Sequence, residues 1–173
     1  MTPLLSRRRF LATSAALVAA GRLSAADDDF GGFTFGIQSY TFRQFNLEQA
    51  LKRIKEAGLK YVEFSRGHIP TDSTPEKIKG ILALCAEYDV KPVSFGVEKF
   101  TSDDEKNKKP FDFAQALGIK FMSADPDPDI FDSLDKLCEK TGIAIAIHPH
   151  GPSGKGGLHR WYSPKKILEA VKN

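Results

Sequence analysis

Hydrophobic and polar positions along this chain switch repeatedly between a strand pattern and a helix pattern. Phe33-Thr34-Phe35-Gly36-Ile37-Gln38-Ser39-Tyr40 is dense in aromatic and β-branched residues and predicts a buried strand. Asn46 then stands as a cap before Leu47, Ala50, Leu51, Ile54 and Ala57, whose helical spacing ends at Gly58. Leu59 to Phe64 predicts the next strand. Thr74-Pro75 opens a second helix through Ile78, Ile81, Leu82, Cys85 and Ala86, with threonine as the cap and proline at the first helical position. The alternation continues with a strand from Val93 to Val97, a helix from Pro110 to Leu117 ended by Gly118, and a strand from Ile119 to Ser123. A helix from Asp129 to Lys140 closed by Gly142, a strand from Ile143 to His148, and a last helix starting at Ser163-Pro164 complete it.

That is about five βα units. Short connections between them require each chain to return along its helix, so the strands are expected to lie parallel with right-handed crossovers. A doubly wound domain and a barrel both satisfy this pattern.

The first 26 residues follow a different logic. Ser6-Arg7-Arg8-Arg9-Phe10-Leu11 leads into the apolar, small-residue stretch Leu11 to Gly21, then Leu23-Ser24-Ala25-Ala26 ahead of three aspartates. A charged start, a short apolar run and a small-residue cleavage site are the order of an export signal, and the paired arginines resemble the twin-arginine type. Residues 1–26 are therefore expected to be a signal, and 27–173 the mature domain of a periplasmic protein with no stable membrane span after cleavage.

Composition narrows the classes further. Of 173 residues, 41% are hydrophobic and 2 are cysteine, which excludes a disordered chain and a disulfide framework. Cys85 and Cys138 sit among apolar neighbours and read as core. The net charge of +3 belongs to the signal: taking Arg7, Arg8, Arg9 and Arg22 from the 25 basic residues leaves 21 against 22 acidic ones. The dense cluster Lys106, Lys108 and Lys109 follows Asp103, Asp104 and Glu105 and reads as a solvated helix start. No nucleic-acid partner is expected from such a balance.

Three segments resemble a known family. Gly36-Ile37-Gln38-Ser39-Tyr40-Thr41-Phe42-Arg43, Tyr61-Val62-Glu63-Phe64 and Ala146-Ile147-His148-Pro149-His150-Gly151-Pro152 resemble the xylose isomerase-like TIM barrels of the sugar phosphate isomerase/epimerase family. That family includes inosose dehydratase-like members and is related to endonuclease IV. The resemblance runs from Phe33 to Asn173 and matches five of the family's eight βα units. It implies an α/β fold that is a partial (β/α)8 TIM barrel, because eight units need about 250 residues. The chain is accordingly expected to be a truncated member, with an open sheet edge available for self-association and an incomplete active site.

Intact relatives are metal-dependent isomerases, epimerases or lyases of sugars, keto-sugars or inositols. The resemblance implies proton abstraction next to a carbonyl, with a divalent metal (manganese, cobalt, magnesium or zinc) polarising the oxygen and a carboxylate acting as base. The family's metal is held by two glutamates, an aspartate and a histidine from later strands. Many relatives read His-Asn-His with the first glutamate three residues on; here those places hold Pro149 and Ser153, so no metal ligand carries over.

In a parallel barrel the reactive groups sit where strands end. His148 and His150 close the fifth strand two residues apart, which points both side chains to one side, and imidazoles can ligate a metal, bond sugar hydroxyls or move protons. With Glu63 on the second strand they are the candidate catalytic groups, although a buried Glu63 in a salt bridge, or structural histidines, fit the same pattern. Candidate contacts to a sugar or polyol are Gln38, Tyr40, His68, Glu98 at the end of the third strand, Asp125, and Trp161 in a Gly-rich loop where it could stack on a sugar face. Asp125-Pro126-Asp127-Pro128-Asp129 also reads as a turn with a helix cap. The alternative from another class is a non-catalytic, flavodoxin-like module that binds a small sugar, but the first loop, Thr41 to Asn46, has no glycine for phosphate.

Overall fold

The computed structural model describes residue 31, residues 33–152 and residues 156–172. The expected export signal, residues 1–26, lies outside the described residues. The chain divides into two units, Met1–Phe35 and Gly36–Asn173, and the second carries every element described here.

In chain order these are β1 (Gly36–Gln38), a 3-10 turn (Ser39–Phe42), α1 (Leu47–Glu56), β2 (Tyr61–Phe64), α2 (Pro75–Glu87) and β3 (Lys91–Phe100). They are followed by α3 (Asp104–Leu117), β4 (Phe121–Pro126), α4 (Phe131–Thr141), β5 (Ala144–Ile147) and α5 (Pro164–Ala170). The five strands form one sheet in the order β1-β2-β3-β4-β5, and every pair is parallel. Each strand thus lies beside its neighbours in sequence, as in the wall of a (β/α)8 barrel. A doubly wound sheet needs a reversal of strand order, so the flavodoxin-like alternative is excluded.

Local chemistry explains most of the helix boundaries. Asn46 and Gln49 form a reciprocal capping box at α1, the Thr74 hydroxyl accepts from Lys77 N with Pro75 in the first turn of α2, and Ser163 caps α5 in the same manner. Gly118 and Gly142 end α3 and α4 in the left-handed conformation, at φ 74° and 67°.

One face of the sheet carries Val62, Phe64, Phe95, Met122 and Ala124 into a continuous core with Leu51, Ile54, Ile81, Phe111, Phe113 and Leu134 from the helices. Strand alternation sends Glu63 and Ser123 to the opposite face. Gly96 lets β3 and β4 approach closely, since a Cβ there would lie 2.2 Å from Ser123 Oγ and 2.4 Å from Ser123 O.

Four expected boundaries move. The first strand stops at Gln38, because the Ser39 hydroxyl turns inward to accept a hydrogen bond from Ser65 N at 2.9 Å and the backbone coils into the 3-10 turn. The third strand runs on to Phe100, placing Glu98 within it rather than at its end. Helix α3 begins at Asp104 and carries Pro110 inside. Proline forfeits one helical hydrogen bond, yet the Asp103 side chain caps Lys106 N at 3.1 Å and Asp104 and Glu105 sit in the positive first turn. Finally, Asp125 and Pro126 belong to β4, and α4 starts at Phe131 behind Ile130 without a side-chain cap.

Candidate functional site

The ends of β1 to β5 gather polar side chains on the face away from the helices. Glu63 is the hub of the first group. Its Oε1 accepts from Gln38 Nε2 at 2.6 Å and from Ser123 Oγ at 3.1 Å, and its Oε2 accepts from Ser94 Oγ at 2.7 Å. One carboxylate thereby ties together β1, β2, β3 and β4. Three donors satisfy the two oxygens of this half-buried side chain.

His68 joins the turn after β1 to the loop after β2. Its Nε2 lies 3.2 Å from the Phe45 carbonyl and its Nδ1 lies 3.0 Å from Ser39 Oγ. A carbonyl only accepts, so Nε2 donates to it, while Nδ1 meets the buried Ser39 hydroxyl, which also bonds Ser65 Oγ at 3.1 Å. Both ring nitrogens are engaged within the protein. Tyr40, 55% exposed, lies in the 3-10 turn beneath the Arg43 guanidinium, which stands 4.8 Å from its ring centre.

Glu98 is fully buried, and its carboxylate is gripped at two points by Arg66: Nε donates to Oε1 at 3.1 Å and Nη2 to Oε2. Burial pushes the Glu98 carboxyl above its ordinary value, with the Arg66 hydrogen bonds and charge pulling the other way. Glu98, expected as a sugar contact, is engaged in this internal ion pair.

The densest chemistry lies between β4 and the loop after β5. His148 N bonds to Ala124 O at 2.8 Å, continuing the ladder past Ile147, and this fixes the backbone that carries both histidines. The rings of His148, His150 and His159 follow one another, with centres 4.8 and 4.3 Å apart. Among the described residues, His150 Nε2 is the one buried side-chain polar atom without a hydrogen-bond partner. Asp125 faces this row: its Oδ1 takes Arg160 Nε at 3.0 Å and its Oδ2 lies 3.4 Å from His159 Nε2. Arg160 also reaches Asp127 Oδ1 at 2.7 Å.

Trp161 is 3% exposed, its indole N–H donates to Pro126 O at 2.9 Å, and its ring stands edge-on to Phe131. It anchors the loop to the end of β4, with the ring expected to stack on a ligand packed against Phe131.

Asp125, His150 and His159 each offer a donor atom within 4.8 Å of the others, the spacing of a metal site. The protons do not fit one. His159 Nδ1 accepts from Trp161 N at 3.2 Å, so its lone pair is occupied and the ring proton sits on Nε2, facing Asp125. A ligating imidazole must present a lone pair and commonly donates its other N–H outward, the reverse of this arrangement. Only Asp125 and His150 remain as suitable donors in the trio.

The structure therefore brings His148, His150 and Asp125 together, and separately Glu63 with Gln38. It sets Tyr40 and His68 on the β1–β2 side and withdraws Glu98 and Trp161 into the protein. Sequence reasoning did not single out Ser94 and Ser123, which alternation on neighbouring strands could have paired with Glu63. Nor did it place Arg160 and His159 on Asp125, a contact across a loop that no local pattern marks. A hollow of about 470 Å³ opens at the other end of the strands, near Lys60, Cys85, Asp89 and Lys91. It lies away from the strand ends where barrels place their chemistry.

No family model matches the chain, and no curated protein matches it. Solved structures do. An uncharacterized protein from Parabacteroides distasonis is 22% identical with a TM-score of 0.68, over 80% of this chain and 57% of its own. A D-psicose 3-epimerase determined in the presence of D-fructose is 11% identical with a TM-score of 0.61, over 81% of this chain and 59% of its own. A xylose isomerase-like TIM barrel protein from Mycobacterium smegmatis in complex with magnesium is 11% identical with a TM-score of 0.58, over 82% and 61%. The chain thus spans about three fifths of the length of these structures, and its fold is that of part of a xylose isomerase-like TIM barrel.

Proposed function

We propose that the chain carries the substrate mouth of an isomerase- or epimerase-type site for a sugar, keto-sugar or polyol. The observation that carries this reading is His150 Nε2, buried and without a partner at the end of β5, in a fold shared with an epimerase determined with D-fructose. A buried polar atom without a partner costs free energy unless a ligand meets it. In its neutral form an imidazole can accept a proton at one nitrogen and donate at the other, which suits proton movement beside a carbonyl. His148 walls the position. Glu63 holds Gln38 and the strand ends in register and belongs to the support of the mouth.

The trio of Asp125, His150 and His159 does not fit a divalent metal, so nothing in this reading is routed through one. Export through the twin-arginine-type segment, and hence a periplasmic location, is part of the same proposal and rests on residues 1–26.

A second reading, binding without turnover, is favoured by Glu63, whose two carboxylate oxygens are already engaged by three donors of the protein. Incubation of the purified chain with D-fructose in deuterium oxide separates the two. Deuterium entering the carbon next to the carbonyl, and lost in His150→Asn, supports the isomerase reading. Saturable binding with no exchange supports the binding module, and absence of both overturns the carbohydrate assignment.

A further inference from the structure

We propose that the Trp161 amide fixes one tautomer of His159 and, with Asp125 beside the ring, keeps the histidine row a metal-free hydrogen-bonding site, with His150 Nε2 as its open contact. The inference rests on the reading of the mouth as a carbohydrate site.

Three observations carry it. First, Trp161 N–H points at His159 Nδ1 at 3.2 Å, so that nitrogen presents its lone pair to the amide and the other neutral tautomer does not fit. Second, the proton left on Nε2 faces Asp125 Oδ2 at 3.4 Å, and Asp125 is itself held by Arg160 through Oδ1 at 3.0 Å and through its backbone carbonyl at 3.3 Å. Third, Trp161 is sealed against Pro126 and Phe131, so the amide that selects the tautomer is fixed by packing.

His159 thereby has its Nδ1 lone pair occupied and its Nε2 turned beside Asp125, and presents its ring, 4.3 Å from that of His150, as a wall. Its lone pair cannot serve a metal without breaking the Trp161 contact. Asp125, expected from sequence to touch substrate, lies beside His159 and is held by Arg160. His150 is left as the group whose Nε2 meets a hydroxyl or carbonyl oxygen of the ligand.

The test is imidazole nitrogen NMR on the full chain labelled with ¹⁵N, with His159 assigned by the signal lost in His159→Gln. The expected result is a protonated Nε2 and an unprotonated Nδ1 at His159, and no shift of the His150 and His159 nitrogens on adding one equivalent of zinc. Asp125→Asn is expected to leave the His159 tautomer in place, because the Trp161 amide still donates to Nδ1, with the emission of the buried Trp161 unchanged. A protonated Nδ1 at His159, or stoichiometric zinc shifting both histidines together, overturns the proposal. If Asp125→Asn fails to fold, the tautomer and the zinc response of the unaltered chain still decide it. D-fructose added to the same sample reports separately: a correct tautomer with no response at His150 leaves the tautomer assignment standing and counts against the carbohydrate reading alone.

Discussion

Arg66 and Glu98 form a two-point ion pair in which the carboxylate is fully buried while the guanidinium side chain is 60% exposed. The pair joins the loop after β2 to the far half of β3, so a charge is kept inside the sheet by a partner that reaches in from solvent. Removing the partner leaves that charge buried alone. Arg66→Met is expected to lower stability by about 2–4 kcal/mol, measured by urea unfolding near neutral pH. A loss within experimental error would mean that Glu98 is neutral or hydrated in the folded chain.

The same carboxyl sets a pH dependence. Burial raises Glu98 above its ordinary value, so the folded chain holds this proton more tightly than the unfolded one and takes up a proton on folding between the two values. The group's contribution is therefore most favourable below the ordinary carboxylate value and declines as pH rises through the raised one. Glu98→Gln is expected to flatten the change in urea midpoint between about pH 4 and about pH 7. An unchanged slope would place the titration elsewhere.

Trp161 gives a third expectation. Trp161→Phe keeps most of the buried ring but leaves the Pro126 carbonyl without its donor, a loss of about 1–2 kcal/mol. Trp161→Ala also opens a cavity beside Phe131 and is expected to cost about 3–5 kcal/mol. Equal effects of the two substitutions on unfolding midpoints would contradict the anchoring role.

Two glycines are expected to respond in opposite directions. Gly96→Ala places a methyl group 2.2 Å from Ser123 Oγ and 2.4 Å from the Ser123 backbone oxygen, forcing β3 from β4 at a cost of about 1–3 kcal/mol or more. Gly80 lies in α2, and a methyl group added there would meet nothing within 4 Å, so Gly80→Ala is expected to stabilise by up to about 1 kcal/mol. Thermal unfolding of the two variants side by side checks the pair.

What could be read from the sequence was what local chemistry decides. Asn46, Thr74 and Ser163 mark helix starts because a cap acts within three residues, and the alternation of Val62, Glu63 and Phe64 assigns faces without any long-range knowledge. Pro110 misled because its local cost is offset by the Asp103 cap seven residues earlier. The site was legible as a set of strand ends, and the roles within it were not. Glu98 and Trp161 both looked like ligand contacts, yet their partners Arg66 and Pro126 lie 32 and 35 residues away and are set by tertiary packing. Ser39 turned the first strand aside for the same reason, through Ser65, 26 residues on.

The carbohydrate assignment stands most directly on a titration of the ¹⁵N-labelled chain with D-fructose and a cyclic polyol, followed at the histidine side chains. The account predicts a saturable shift of His150 Nε2, a smaller one at His148, none at His68, and loss of binding in His150→Ala. Binding that is unchanged in His150→Ala, or sugars that leave every histidine signal where it was, would contradict it.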